Sequence, residues 1–163
     1  MSITIGETLP QLAFTATNNH HGYLSDLTQL TGGQHKNVLI YFYPKDNTPG
    51  CTNEAKDFRD LFDQFVHANT IIFGVSLDTL SSHEKFKAKW ELPFELISDH
   101  DETISKHFGV LREKLLFGRT YFGIIRSSFL FDSQGILRKS WLRVSVKGHA
   151  TEVLREAQNI TNQ

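Results

Sequence analysis

The chain of 163 residues has one cysteine, Cys51, and the residues around it are of types that support chemistry. Cys51 follows Thr48-Pro49-Gly50, between a buried apolar segment and a segment with helical periodicity. The unpaired N–H groups and the positive dipole end of a helix N-terminus favour an anion, here the thiolate. We therefore interpret Cys51 as a reactive nucleophile and not as a small hydrophobic residue of the core.

Strands and helices alternate along the chain. The unalternating apolar run 38–43 predicts a strand buried on both faces, and the spacing of apolar residues after Cys51 predicts a helix from about 52 to 67. The other predicted elements are a hairpin over 11–16 and 22–25, strands over 70–76, 94–97, 127–131 and 136–142, and helices over 80–90, 102–108 and 149–160. This order predicts an α/β fold, a three-layer α/β/α sandwich with a mixed central sheet.

Composition excludes several classes of protein. One cysteine allows neither an internal disulfide nor a Cys-rich zinc site. Lys and Arg total 17 and Asp and Glu total 18, a net charge of −1 that predicts neither a nucleic-acid nor a membrane partner. The aromatic residues spread over the whole length predict a single domain over 1–163. The N-terminal residues do not resemble a signal peptide, and we expect a cytoplasmic protein.

The segment 43–55 has a specific resemblance to a known motif. Its sequence, Tyr-Pro-Lys-Asp-Asn-Thr-Pro-Gly-Cys-Thr-Asn-Glu-Ala, resembles the active-site loop of peroxiredoxins, and it fits the bacterioferritin comigratory protein (PrxQ) branch best. The family pattern of Pro, three residues, Thr, two residues and Cys falls on Pro44, Thr48 and Cys51.

A second segment strengthens the resemblance. Residues 118–132 are similar to the segment of the same branch that carries the active-site arginine, which here is Arg126. Shorter similarities occur at 76–78 and 97–99, so that the resemblance extends over about 6–160, nearly the whole chain.

The resemblance implies a thioredoxin-like fold and the thiol-dependent reduction of hydrogen peroxide and organic hydroperoxides in antioxidant defence, without a cofactor. Cys51 would attack a peroxide oxygen and become a sulfenic acid. Thr48 and Arg126 would be its catalytic partners, because donors near the breaking O–O bond stabilise the developing charge. Pro44 would shield the loop, and the N–H group of Gly50 would help to bind the peroxide.

The chain departs from many relatives in one respect. The position five residues after Cys51, where they carry a resolving cysteine, is Lys56, and residues 81–89 contain no cysteine either. An external thiol must then reduce the sulfenic acid, and thioredoxin, glutaredoxin with glutathione, and a small thiol are the candidates. The alternative function is a peroxide sensor or chaperone-like scaffold that oxidises Cys51 with little turnover.

Other residues receive simpler interpretations. Glu54 complements the helix dipole, and Lys56 is a solvated charge. The eight histidines are surface residues and form no metal site. The apolar cluster 115–117 is predicted to lie in a loop over the active-site pocket, or alternatively to form an exposed patch for dimer contact. Both a monomer and a homodimer remain open at this point.

Overall fold

The computed structural model describes residues 2–30 and 33–162. In chain order, the strands are β1 (Ala13–Thr15), β2 (His21–Tyr23), β3 (Asn37–Phe42), β4 (Thr70–Ser76), β5 (Glu95–Ser98), β6 (Leu111–Leu116), β7 (Arg119–Ile124), β8 (Ser127–Phe131) and β9 (Leu137–Leu142). The helices are α1 (Pro49–Asp60), α2 (Phe62–His67), α3 (Leu80–Trp90), α4 (Thr103–Phe108) and α5 (His149–Thr161), and a 3₁₀ helix spans Leu24–Gln29. Among the described helices, none has the length and apolar character needed to cross a bilayer.

A five-stranded mixed sheet forms the centre of the fold. Its strand order is β5-β4-β3-β8-β9, with parallel pairs β3/β4 and β4/β5 and antiparallel pairs β3/β8 and β8/β9. The N-terminal hairpin β1/β2 forms a separate two-stranded sheet. The predicted mixed sheet, N-terminal hairpin and thioredoxin-like sandwich are confirmed.

Every residue of β3 is buried, as the unalternating apolar run predicts. One face of the strand, with Ile40 and Phe42, packs into a core that also contains Phe108 of α4. The opposite face, with Leu39 and Tyr41, packs into a second core formed with α1, α2, α3 and α5. Cys51 belongs to this second core, so its sulfur lies between the sheet and its helices.

The predicted helix over 52–67 is wrong at its start and in its middle. Helix α1 begins at Pro49, and the chain breaks at Leu61 before α2. Proline fits the first helical position, because its φ is already helical and its missing N–H would have no intrahelical partner there. The proline was interpreted as part of the preceding loop, whereas it begins the helix.

The prediction that 115–117 lies in a loop over the active-site pocket is also wrong. These residues end β6 and begin the turn of a second hairpin, β6/β7, that forms a two-stranded sheet of its own. The exposed fractions of Leu115, Leu116 and Phe117 are 72%, 53% and 94%. The hairpin shows no buried face along most of its length, so its sequence lacks the alternation that predicts a strand.

Gly74 of β4 is a position where packing admits no side chain. A Cβ atom there would lie 2.9 Å from Cδ2 of Leu96 and 3.0 Å from Oη of Tyr41. We expect Gly74→Ala to lower the free energy of unfolding by about 1–3 kcal/mol in urea titrations. Tyr41→Phe removes one of the clashing atoms, so the double variant should recover part of the loss. A Gly74→Ala protein as stable as the wild type would contradict this packing.

Candidate active site

Cys51 is the third residue of α1, and its side chain is buried at the N-terminus of that helix. Thr48 occupies the N-cap position, and its carbonyl accepts the first recorded helical bond, from the Thr52 N–H, at 2.9 Å. The N–H groups of Gly50 and Cys51 precede that bond and therefore belong to the unpaired first turn. The helix directs these two donors toward the end at which the sulfur lies.

Arg126 lies in the short connection between β7 and β8, and its guanidinium reaches the sulfur. Nη2 donates to Cys51 Sγ at 3.4 Å, while Nη1 donates to Glu54 Oε1 at 2.7 Å. The carbonyl of Arg126 accepts from the Val144 N–H at 2.9 Å, which fixes the backbone. Burial opposes the charge of Arg126, but Glu54 and Cys51 raise its pKa overall. A charged guanidinium beside Sγ stabilises a thiolate.

Glu54 has a larger part in this site than its sequence position indicated. It follows Cys51 by three residues, so the two side chains share one face of α1. Its exposed fraction is 1%, and its recorded ionic partner is Arg126. Burial raises the pKa of Glu54 to about 7, although the charge of Arg126 acts in the opposite direction. The interpretation of Glu54 as a complement of the helix dipole missed this buried contact.

The other predicted site residues differ in how closely they approach the sulfur. Gly50 lies beside Arg126, since a Cβ atom at Gly50 would be 3.1 Å from Nη2. The hydroxyl of Thr48 donates to the Lys45 carbonyl at 2.8 Å and thereby closes the loop on itself. Pro44 is half-buried, two residues after the end of β3. The structure thus brings Cys51, Gly50 and Arg126 together, while Thr48 and Pro44 shape the loop.

Lys114 is a second cation near the site, and sequence reasoning missed it. Its side chain runs along Gly123, where an added Cβ would lie 3.2 Å from Lys114 Cδ, and its Nζ donates to the Ile124 carbonyl at 2.7 Å. Burial and the charge of Arg126 lower the pKa of Lys114, while Cys51 acts to raise it. Lys114 precedes Arg126 by twelve residues, so only the hairpin pairing brings it close, and no local motif signals it.

A buried polar network holds the Cys51 loop to α3. The Asp46 carboxylate accepts from the Tyr43 hydroxyl at 2.7 Å and from the Ser82 hydroxyl at 2.8 Å. His83 Nδ1 lies 2.8 Å from Asp46 Oδ2, and its Nε2 lies 2.9 Å from the Ile97 carbonyl oxygen. These contacts fix the loop five residues before Cys51.

The prediction that the histidines are surface residues is wrong for His83 and His149, which are buried. Asp46, Asp78 and His83 are the one set of three potential metal ligands in ranges 2–30 and 33–162 whose donor atoms approach one another within 4.8 Å. Both ring nitrogens of His83 already contact oxygens, so the set serves as a hydrogen-bond network.

His149 begins α5, and its Nε2 lies 2.8 Å from the Ser128 hydroxyl. Burial is the main cause that lowers the pKa of His149 to about 4, so the ring is neutral near pH 7. Among the described residues, no histidine hydrogen-bonds to Cys51, whose sulfur contacts Arg126. The site therefore lacks the cysteine–histidine pair of a cysteine protease.

Lys56 is not the fully solvated charge that was expected. Its Nζ lies 4.9 Å from the centre of the Trp90 ring, a cation–π contact between α1 and α3. Lys56 therefore packs at the interface between α1 and α3.

Comparison with known proteins agrees with this geometry. Residues 5–140 match the model of the AhpC/TSA family. The chain is 41% identical over 163 residues to peroxiredoxin Bcp of Bacillus subtilis, with all of both chains covered. It is 43% identical over 154 residues to a putative peroxiredoxin Bcp of Coxiella burnetii, covering 94% of this chain and 98% of that one.

Solved structures give the same result. Bacterioferritin comigratory protein of Xanthomonas campestris superposes with a TM-score of 0.84 at 35% identity, covering 97% of this chain and 99% of that one. A cysteine-to-serine mutant of Xylella fastidiosa PrxQ gives a TM-score of 0.87 at 36% identity and 98% coverage of both chains. The chain therefore belongs to the AhpC/TSA family. Within it, the chain is a one-cysteine peroxiredoxin of the Bcp (PrxQ) type, an enzyme of the thiol-dependent peroxidase class.

The raised pKa of Glu54 predicts a specific pH dependence of stability. Between pH 4.5, its ordinary value, and about 7, the folded protein retains a proton that the unfolded chain has released. Glu54 therefore contributes a loss of stability as pH rises through this window, about 3 kcal/mol in total, whereas His149, whose lowered pKa leaves the extra proton on the unfolded chain, contributes a gain over much of the same window. The free energy of unfolding of the wild type minus that of Glu54→Gln, measured by urea unfolding, should therefore fall across the window, because His149 contributes equally to both proteins. Parallel profiles for the two proteins would contradict the assignment.

Proposed function

We propose that Cys51 is the peroxidatic nucleophile of this peroxidase and that Arg126 is its principal catalytic partner. The observation that carries this proposal is the contact of Arg126 Nη2 with Cys51 Sγ at 3.4 Å, made while Nη1 is held by the buried Glu54. A thiolate at this position is stabilised by the guanidinium and by the N-terminus of α1. The site reduces hydrogen peroxide and organic hydroperoxides.

In the first step, the thiolate of Cys51 attacks the terminal oxygen of the hydroperoxide. An S–O bond forms as the O–O bond breaks, and the leaving alkoxide or hydroxide takes up a proton and departs as alcohol or water. Cys51 is oxidised to the sulfenic acid, and the peroxide is reduced. Negative charge develops on the leaving oxygen, where Arg126 and the N–H groups of Gly50 and Cys51 act as donors. Thr48 and Pro44 hold the loop in which this happens.

The second step needs a thiol from outside the chain, because the chain has one cysteine. That thiol displaces water from the sulfenic acid and forms a mixed disulfide with Cys51. A second thiol then attacks the mixed disulfide, releases Cys51 and leaves the reductant oxidised. Thioredoxin, glutaredoxin with glutathione, and small thiols are the candidate reductants in the cytoplasm. The protein acts as a monomer or a homodimer.

Arg126→Lys tests the principal catalytic role. Lysine keeps the charge but lacks the planar fork that contacts Cys51 and Glu54 at once. The second-order rate constant of Cys51 oxidation by hydrogen peroxide should fall by about 10²–10³-fold in stopped-flow measurements. Arg155→Lys, an exposed change on α5, is the matched control and should leave the rate constant unchanged. An equal rate constant in wild type and Arg126→Lys would remove Arg126 from the mechanism.

A reductant screen tests the second step. With limiting hydrogen peroxide, we expect multiple turnovers with at least one of thioredoxin, glutaredoxin plus glutathione, or a small thiol, monitored by peroxide consumption. Mass spectrometry should detect the mixed disulfide on Cys51, and Cys51→Ser should abolish both signals. Oxidation of Cys51 without turnover in every reducing system would instead support the sensor function.

A further inference from the structure

The β6/β7 hairpin exposes apolar side chains that the peroxidase mechanism does not use. Besides Leu115, Leu116 and Phe117, the exposed apolar residues include Tyr121 and Phe122, and the exposed fraction of Phe122 is 66%. An apolar cluster of this kind on a soluble surface marks an interaction site. We call the segment from Leu115 to Phe122 the hairpin tip.

The turn of the hairpin adds backbone strain to this exposure. Phe117 and Gly118 have φ values of +51° and +75°, the combination of a two-residue turn that favours asparagine followed by glycine. A phenylalanine in the left-handed region is strained, and burial does not offset the strain, since 94% of the side chain is exposed. Strain and exposure together indicate that Phe117 contacts a partner outside the chain.

The net charge of the hairpin indicates the sign of the charge on that partner. Residues 111–124 contain Arg112, Lys114 and Arg119 but a single acid, Glu113, a local net charge of +2 in a chain of net charge −1. The near-neutral net charge of the whole chain, from which no membrane partner was predicted, conceals this local excess of positive charge. A partner with negative charge complements it, whereas a second copy of the same tip would bring like charges together.

The distribution of the apolar residues identifies the kind of partner. Side chains alternate between the faces of a strand, so Leu115 and Leu116 project from opposite faces, with Phe117 beyond both. A protein surface would cover one face, whereas a bilayer surrounds the tip on all sides. Tyr121 and Phe122 pair with Lys114 and Glu113, two and three rungs from the Leu116/Arg119 pair. That span is about 7–10 Å, close to the insertion depth of about 5–10 Å of interfacial segments.

We propose that the hairpin tip inserts into the surface of an anionic lipid bilayer, with Phe117 as its leading residue and Arg119 beside the lipid phosphates. Strand β7 leads into Arg126 after one intervening residue, so insertion brings the Cys51 site to the bilayer surface. Hydroperoxides carried on lipid chains would then be substrates at that surface. This last consequence rests on the proposed peroxidase function, while the docking itself does not.

Phe117→Asn is the decisive variant, because asparagine suits this turn and the hairpin keeps its fold. Sedimentation with phosphatidylcholine/phosphatidylglycerol vesicles should show binding of the wild type and an affinity about tenfold lower for the variant. Pure phosphatidylcholine vesicles and added salt should weaken wild-type binding. Val66→Ser, at an apolar residue of α2 with an exposed fraction of 51%, is the control and should bind as the wild type does.

Two further readouts separate docking from catalysis. Turnover of hydrogen peroxide in solution should be equal in wild type and Phe117→Asn, whereas reduction of lipid hydroperoxides inside anionic vesicles should fall with vesicle affinity. Loss of both activities in the wild type would contradict the peroxidase function and leave the docking result valid. Absence of wild-type vesicle binding, or equal binding by Phe117→Asn, would overturn the proposal. So would a dimer, or a complex with a redox protein, that forms through the tip and excludes vesicles.

Discussion

The guanidinium of Arg126 contacts two groups from a single turn of α1, the sulfur of Cys51 and the carboxylate of Glu54. A buried carboxylate needs an ionic or hydrogen-bonding partner, and the proposed nucleophile at the helix N-terminus needs a cation that favours the thiolate. One planar group meets both needs. The start of α1 and the junction of β7 and β8 must therefore keep a constant separation, and much of the surrounding structure maintains it.

Separate contacts hold the start of α1 and the junction of β7 and β8 in place. On the helix side, Asp46 ties the loop before Cys51 to His83 of α3, so the loop is anchored to a second helix and not only to β3. On the strand side, the Arg126 carbonyl is bonded to the backbone beyond β9, and Lys114 bonds to the Ile124 carbonyl. The absence of a side chain at Gly50 leaves room for the guanidinium. The contact of Arg126 with Cys51 is thus preorganised by contacts that come from well-separated parts of the chain.

A feature of this structure could be predicted when its cause lies in one contiguous segment of the sequence, and could not when it depends on residues far apart in the chain. The buried strands were predictable because a run such as 38–43 is apolar throughout, and the place of Cys51 at a helix N-terminus was predictable because its loop and helix start are contiguous in sequence. Arg126 could be assigned only by resemblance, since a charge before an apolar strand has no local signature. His83 looks like a surface residue on a polar helix, and its burial depends on Asp46, 37 residues away. The β6/β7 hairpin has too little buried surface to produce a periodic pattern.

The proposed role of Arg126 is to accelerate O–O cleavage and not simply to make Cys51 more nucleophilic. The most direct test compares two rate constants on the same reduced wild-type protein, oxidation of Cys51 by hydrogen peroxide and alkylation of Cys51 by iodoacetamide. Both reactions use the thiolate, but only the first develops charge on a leaving oxygen beside Arg126. If Arg126 stabilises that charge, the rate constant of oxidation should exceed that of a small-molecule thiolate by at least about 10³-fold, while the rate constant of alkylation should not. Equal acceleration of both reactions would contradict this role.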